Sequence, residues 1–157
     1  MDFEYASSDE LFKLIGKINS NYYERLNANI IFLEQITDSI YPDYAIELRD
    51  AYSHLVKVFD YDILSPEGKK NVQHHLLAYT DHLQRGLLDT FRKIIDFEFR
   101  TIRKYIPKND IKVVEYQIAS KAYEVRIMGE DIPVDQRIEG FISLLGYISE
   151  IRKKYRV

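Results

Sequence analysis

The sequence predicts an all-α fold, an up-and-down antiparallel bundle of about five helices with a very long third helix. Three observations predict it: apolar residues recur at helical spacing along the chain, only four prolines and six glycines interrupt it, and no stretch alternates as a strand would. The predicted connections are short, so consecutive helices should lie antiparallel. Without a Pro-, Gly- or Ser-rich linker, residues 1–157 are expected to form a single domain.

The first helix is predicted over residues 8–39, where Ser7 and Glu10 have the spacing of a capping box. The second is predicted from Pro42 to about Asp60, because proline suits the first turn of a helix and disfavours helix in the preceding residue. The stripe expected to be buried in the second helix comprises Tyr44, Leu48, Ala51, Tyr52, Leu55, Val58 and Phe59.

The third helix has the clearest start signal, Ser65-Pro66-Glu67, with serine as N-cap, proline in the first position and an acid in the first turn. No breaker follows before Pro107, so the helix is expected to run for about 40 residues, or roughly 60 Å. Gly86 is the point where a bend is expected. The predicted apolar ridge comprises Val72, Leu76, Tyr79, Leu83, Leu87, Thr90 and Ile94.

Two further helices are predicted in the last third of the chain. Asn109-Asp110 is expected to cap the fourth, and Gly129 to end it. Ile132-Pro133 is expected to open the fifth, which runs nearly to the end of the chain. The stripe expected to be buried in the fifth helix comprises Ile138, Phe141, Ile142, Leu145, Ile148, Ile151 and Tyr155.

Composition narrows the function classes. The absence of cysteine excludes thiol catalysis and thiolate metal sites, and it fits a reducing compartment. The segment Met1-Asp2-Phe3-Glu4-Tyr5 lacks the basic start and apolar run of an export signal, and charges interrupt every apolar stretch before the roughly 20 residues of a membrane span. We therefore expect a cytoplasmic protein without a membrane partner. The net charge of −3 argues against DNA binding through a general positive surface.

Polar side chains recur along one edge of the third helix, beside its apolar ridge, in steps of three and four residues. The full set comprises His75, His82, Arg85 and Asp89 on the third helix, Arg49 and His54 on the second, and Asn29 on the first. Such groups are costly to bury unless they bond to one another. We expect them to meet where the helices pack. Two interpretations stay open: a polar network that fixes helix register, or an open site that moves protons and binds phosphate or carboxylate.

The segment Arg49-Asp50-Ala51-Tyr52-Ser53-His54 resembles the R-x4-6-H motif of HEPN domains. Members of that superfamily are small α-helical bundles, commonly dimers, and many are metal-independent ribonucleases of toxin-antitoxin, CRISPR and phage-defence systems. The resemblance implies that His54 acts as general acid or base toward the ribose 2′-hydroxyl or the leaving oxygen. It also implies that Arg49 holds the scissile phosphate and that Asp50 orients the pair. RNA is a partner under this interpretation alone.

No cofactor or metal is expected. The sequence has no Glu-x-x-His, the motif that di-iron and di-manganese bundles require. His75, His82 and Asp89 follow one another at steps of two helical turns, which is too far for a compact set of ligands to one metal ion on a single helix. There is no Gly-rich phosphate loop or serine-nucleophile elbow. The leading interpretation is therefore a non-catalytic module that forms a homodimer or binds a protein partner. The alternative is a HEPN-like ribonuclease.

Overall fold

The computed structural model describes residues 3–39, 41–63, 65–127 and 132–156, and every regular element among them is a helix. The elements are α1 (Ser8–Ile18), α2 (Glu24–Thr37), α3 (Pro42–Val58), α4 (Pro66–Arg103), α5 (Lys108–Ile127) and α6 (Val134–Tyr155). A π-helical turn, Asn19–Tyr23, connects α1 to α2 directly. The all-α prediction is confirmed, and α1, the π turn and α2 together correspond to the predicted first helix.

The π turn is a departure from the expected regular first helix. The Glu24 N–H donates to the Asn19 carbonyl, one residue further back than in an α-helix. The extra residue places the Asn19 side chain where its Oδ1 accepts a hydrogen bond from the Tyr79 hydroxyl. Ile18, Tyr22 and Leu26 are all buried. Their four-residue steps are compatible with both helix types, so the spacing alone did not reveal the insertion.

Two helix starts follow the predicted chemistry. The Ser7 hydroxyl accepts a hydrogen bond from the Glu10 N–H, 3.3 Å away, and caps α1. The Ser65 hydroxyl accepts one from the Gly68 N–H at 3.0 Å, directly before α4. These side chains provide acceptors for N–H groups that have no partner within the first helical turn.

The predicted cap of the fourth predicted helix is wrong. This helix, α5, begins at Lys108, and the Pro107 carbonyl accepts hydrogen bonds from the N–H groups of Asp110 and Ile111. The Asp110 carboxylate instead accepts a hydrogen bond from the Tyr155 hydroxyl, 2.9 Å away. An acidic side chain is favourable anywhere in the first turn of a helix, so the presence of Asp110 did not indicate which residue begins α5. The predicted end at Gly129 lies outside the described residues.

The long helix α4 has 38 residues and ends at Arg103. All seven residues of its predicted apolar ridge are buried. Gly86, expected to mark a bend, lies inside the continuous helix and is buried against α2. A Cβ atom at this position would stand 3.1 Å from Leu26 Cδ2, so glycine permits the close approach of the two helices.

The chain divides into two compact units, Met1–Thr90 and Phe91–Val157, and α4 contributes residues to both. In the first unit, α3 runs antiparallel to α1, to the π turn and to α4. Along each pair of neighbours, residue numbers on α3 rise as the numbers of the residues they contact fall. The pairs that show this are Phe12 and Phe59, Tyr23 and Tyr52, Glu47 and His82, and His54 and His75. The expected up-and-down order therefore holds in this unit.

The second unit repeats the arrangement with residues 91–103 of α4, then α5 and α6. Here α5 runs antiparallel to α6, whereas α4 and α6 run in the same direction. The pairs that show this are Asp110 and Tyr155, Gln117 and Tyr147, Glu98 and Arg152, and Phe91 and Phe141. The prediction of a single domain stays a prediction.

Two of the predicted buried stripes need correction. On α3, Tyr44, Ala51 and Val58 are buried, but Tyr52 and Phe59 are exposed. On α6, Leu144 is buried in place of the predicted Ile142, which is exposed. In both helices the apolar spacing was also compatible with a buried stripe centred on a slightly different face of the helix. The packing of the neighbouring helices determines which face is buried.

Candidate functional site

Four rings form a column between α3 and α4, which we call the ring column: Tyr61, His75, His54 and His82. The centroid distances along it are 5.7 Å from Tyr61 to His75, 5.3 Å from His75 to His54 and 5.5 Å from His54 to His82. His75 and His82 are two turns apart on α4, and His54 reaches between them from α3. The antiparallel packing of the two helices thus brings together three of the predicted site residues.

The hydrogen bonds of the ring column couple the tautomers of His54 and His75. His54 Nδ1 and His75 Nδ1 are 3.0 Å apart, so one of them donates and the other accepts. The Tyr61 hydroxyl lies 3.4 Å from His75 Nε2. If this hydroxyl donates, His75 carries its hydrogen on Nδ1 and donates it to His54 Nδ1. We assign this arrangement, in which both imidazoles are neutral.

Burial supports the neutral state of this histidine pair. It is the first cause that lowers the pKa of His54, followed by the positive charges of His82 and Lys57. Burial also lowers the pKa of His75, followed by the charge of His54. With His75 Nδ1 as the donor, a proton added to His54 Nδ1 would place two N–H groups against each other. The geometry and the electrostatics therefore both favour the uncharged pair.

At the other end of the ring column, His82 meets one acid and one base. Its Nδ1 lies 2.8 Å from Glu47 Oε2 and 2.8 Å from Arg85 Nη2. A carboxylate only accepts and a guanidinium only donates, so Nδ1 serves one of them at a time. We assign its hydrogen to Glu47, because Arg85 is 59% exposed and water solvates its guanidinium. Arg85 also lies 3.5 Å from Glu47 Oε2.

The two motif residues on the outer side of α3 pair with each other. The Arg49 Nε and Nη2 atoms both donate to Asp50 Oδ1, at 2.9 and 2.7 Å. The pair is open to water, with side chains 72% and 36% exposed. This hydrogen bond is the first cause that lowers the pKa of Asp50, and the charges of His82 and His54 lower it further. Of the described residues, none forms a hydrogen bond or ion pair that joins Arg49 to His54.

The remaining predicted residues lie outside the ring column. The Asn29 amide donates to the Thr90 hydroxyl at 3.0 Å, which links α2 to α4. Asp89 is exposed, and its charge acts on Tyr44, whose pKa is raised mainly by burial and then by this carboxylate. The expected single network thus includes at least three distinct sets of contacts: the ring column with Glu47 and Arg85, the Arg49–Asp50 pair, and the Asn29–Thr90 hydrogen bond.

Sequence reasoning missed Glu47 and Tyr61. Glu47 precedes His54 by seven residues, so it lies on the same flank of α3, and this spacing was a usable signal. Tyr61 lies in the connection between α3 and α4, where no helical period places side chains. Only the coordinates could place it beside His75.

The chemistry available at the ring column is limited by its internal bonding. Glu47 pairs with Arg85 and Asp50 pairs with Arg49, so a phosphodiester would have to displace a carboxylate to bind either guanidinium. Within the described part of the chain, no three His, Asp or Glu side chains are arranged to hold a metal ion. The arrangement is best suited to joining α3 and α4.

A second candidate site is an exposed surface between α1 and α3, which we call the apolar face: Phe12, Tyr52, Val56 and Phe59. Their exposed fractions are 58%, 40%, 64% and 53%. The rings of Phe12 and Phe59 stack at 5.8 Å, so the face is continuous across the two helices. Adjacent exposed apolar side chains of this size are typical of surfaces that bind another molecule.

No family model matches this chain, and neither a curated protein nor a solved structure matches it. No helix in the described ranges combines the length and apolar character needed to cross a membrane. The ring column and the apolar face are the features of the described residues that bear on function.

Proposed function

We propose that this chain is a non-catalytic helical module that forms a homodimer through the apolar face. The observation that carries the proposal is the exposure of Phe12, Val56 and Phe59, each more than half open to water although two of them stack on each other. Covering these side chains with a second surface removes apolar area from water, which is the main driving force of association. A cytoplasmic location is part of the proposal and is supported by the absence of cysteine.

Charges around the apolar face favour a second copy as the partner. Exposed Asp9 and Lys13 flank Phe12 on α1, while Arg49 and Asp60 flank Val56 and Phe59. In a two-fold symmetric dimer the same patch meets itself, so a border of one sign would repel its copy. A border with both signs allows acids of one protomer to lie opposite bases of the other.

Sedimentation velocity over a concentration series tests this proposal on the full chain. Wild type is expected to dimerise, and Val56→Glu is expected to weaken dimerisation at least about tenfold, because it places a charge in the apolar centre of the interface. Val113→Glu is the matched control: Val113 is similarly exposed, at 57%, but lies on α5 in the second unit. A monomeric wild type, or equal loss in both variants, contradicts the proposal.

The alternative function is a HEPN-like, metal-independent ribonuclease with Arg49 and His54 acting on RNA phosphodiesters. Its support is the motif; in the folded chain Arg49 is held by Asp50, and His54 is bonded to His75. Wild type and His54→Ala are compared on a mixed RNA pool in the presence of a chelator. Cleavage by wild type that is lost in the variant would replace the non-catalytic proposal with this one.

A further inference from the structure

The second unit contains a cavity of about 310 Å³ between α4, α5 and α6. Its lining is mixed: the tyrosine Tyr123 and the charged Arg92, Asp96 and Glu115 stand beside six apolar side chains, Ile95, Phe99, Ile118, Ala119, Ala122 and Phe141. Ile95, Ile118 and Phe141 are buried. Tyr123, which is exposed, stands at the edge. The cavity shares no residue with the apolar face or with the ring column.

The space exists because α5 lines it with two small side chains, Ala119, which is exposed at its edge, and Ala122, which is half-buried. Ala119 and Ala122 are three residues apart and so project toward the same side of the helix. A larger apolar side chain at either position would fill part of the volume. The opposite wall is held in place, because Phe141 stacks on Phe91 with centroids 5.9 Å apart and planes 7° from parallel. The cavity is therefore a feature of fixed side chains.

The charged groups at the cavity bear on the charge of its ligand. Asp96 Oδ2 lies 2.8 Å from Arg100 Nη2, and Glu115 Oε1 lies 2.8 Å from Arg103 Nε. Arg92 itself lines the cavity beside these two carboxylates, whereas Arg100 and Arg103 are only their ion-pair partners. A charged ligand would compete with the two ion pairs that are already formed, whereas an uncharged ring can lie against the apolar side chains without disturbing these pairs.

From this geometry we propose that the cavity binds an uncharged aromatic small molecule of about two fused rings. A cavity of roughly 150 Å³ accommodates benzene, and this one has about twice that volume. The ring faces of Phe99 and Phe141 provide surfaces for offset stacking or edge contacts with an aromatic ligand. The inference goes beyond self-association and would hold for a monomer as well as for a dimer.

Indole is the probe, because the chain contains no tryptophan and indole emission can be excited where tyrosine does not absorb. Titration of the full-length protein into indole is expected to give a saturable change in emission. Ala122→Leu is expected to weaken binding by about tenfold or more, since the added side chain occupies ligand volume. Ala28→Leu, the same substitution at an exposed position of α2, is the matched control and is expected to bind like wild type.

Circular dichroism establishes that each variant is folded. If Ala122→Leu fails to fold, Ala119→Leu provides the same test from the neighbouring position. The proposal is overturned if wild type shows no saturable change, or if a folded cavity variant binds indole as tightly as Ala28→Leu. Because the readout is the emission of the ligand and not the sedimentation of the protein, a negative result leaves the dimer measurement unaffected, and the two proposals fail separately.

Discussion

The two flanks of α3 differ in chemistry and in what covers them. The flank toward α4 carries Glu47 and His54, and these side chains are partly buried with their polar atoms bonded across the two helices. The flank toward α1 carries Val56 and Phe59, which are mostly open to water. If polarity alone determined burial, the polar side chains would be exposed and the apolar ones buried, which is the opposite of what the structure has.

The difference shows that hydrogen-bond partners and covering elements decide burial on a helix flank. Imidazoles tolerate partial burial when a second imidazole, a hydroxyl or a carboxylate satisfies them. Apolar side chains stay exposed when no further helix of the same unit covers them, and they are then available to another molecule. Four perturbations of the first unit sharpen this comparison, in order of decreasing expected effect.

The largest loss of stability is expected for His75→Ala. The substitution empties a buried position and removes the partner of His54 Nδ1, which should lower the free energy of unfolding by about 2 kcal/mol. Val56→Ala, on the open flank, is expected to change it by less than about 0.5 kcal/mol. Urea unfolding at neutral pH measures both. Equal effects would show that the two flanks contribute alike.

Acidification is expected to destabilise the first unit less than His75→Ala does. The folded-state pKa values of His54 and His75 are lowered, so the unfolded chain binds protons more readily. This contribution to stability is fully present above the unfolded histidine pKa of about 6.5 and is lost as the pH falls through the lowered folded values. The urea midpoint should therefore decrease from pH 7.5 to pH 5.

A double variant, His54→Gln with His75→Gln, tests the origin of that dependence. It should flatten the change in midpoint across this range, because neither position then titrates. His74→Gln is the matched control, since His74 is adjacent in sequence but exposed. If the double variant keeps the wild-type slope, the carboxylates or the second unit cause the acid sensitivity.

A smaller effect is expected for Glu47→Gln. The substitution keeps an acceptor for His82 but removes the charge that faces His82 and Arg85, at a cost of about 1 kcal/mol. Thermal unfolding followed by circular dichroism provides the measurement. Glu139→Gln, at an exposed position of α6, is expected to leave the midpoint unchanged. A midpoint for Glu47→Gln that equals wild type would remove Glu47 from the interactions that stabilise the α3 and α4 contact.

The smallest effect is expected for Arg49→Ala, with a change in the free energy of unfolding below about 0.5 kcal/mol. The Arg49–Asp50 pair is solvent-exposed, and water screens such pairs. Chemical denaturation again measures the difference, with Asp50→Ala as the companion variant. A loss of stability from either substitution as large as that of Glu47→Gln would indicate a partner beyond the exposed pair.

Much of the architecture followed from local chemistry. The serine and proline starts placed α3 and α4, and the apolar ridge of α4 is buried as predicted. The candidate site was predicted less completely. His54, His75 and His82 do come together, but Glu47 and Tyr61 were missed. Local spacing places a side chain on a helix flank, whereas its partner depends on how two helices align.

The sequence by itself determined the helices, because caps, prolines and apolar periodicity act within a few residues of each position. Only the tertiary structure decided which flank of α3 is covered, where the π turn shifts the register of the first helix, and how Ala119 and Ala122 leave a cavity in the second unit. Those outcomes depend on the fit between surfaces far apart in sequence, and packing energy decides them when helical spacing permits more than one arrangement.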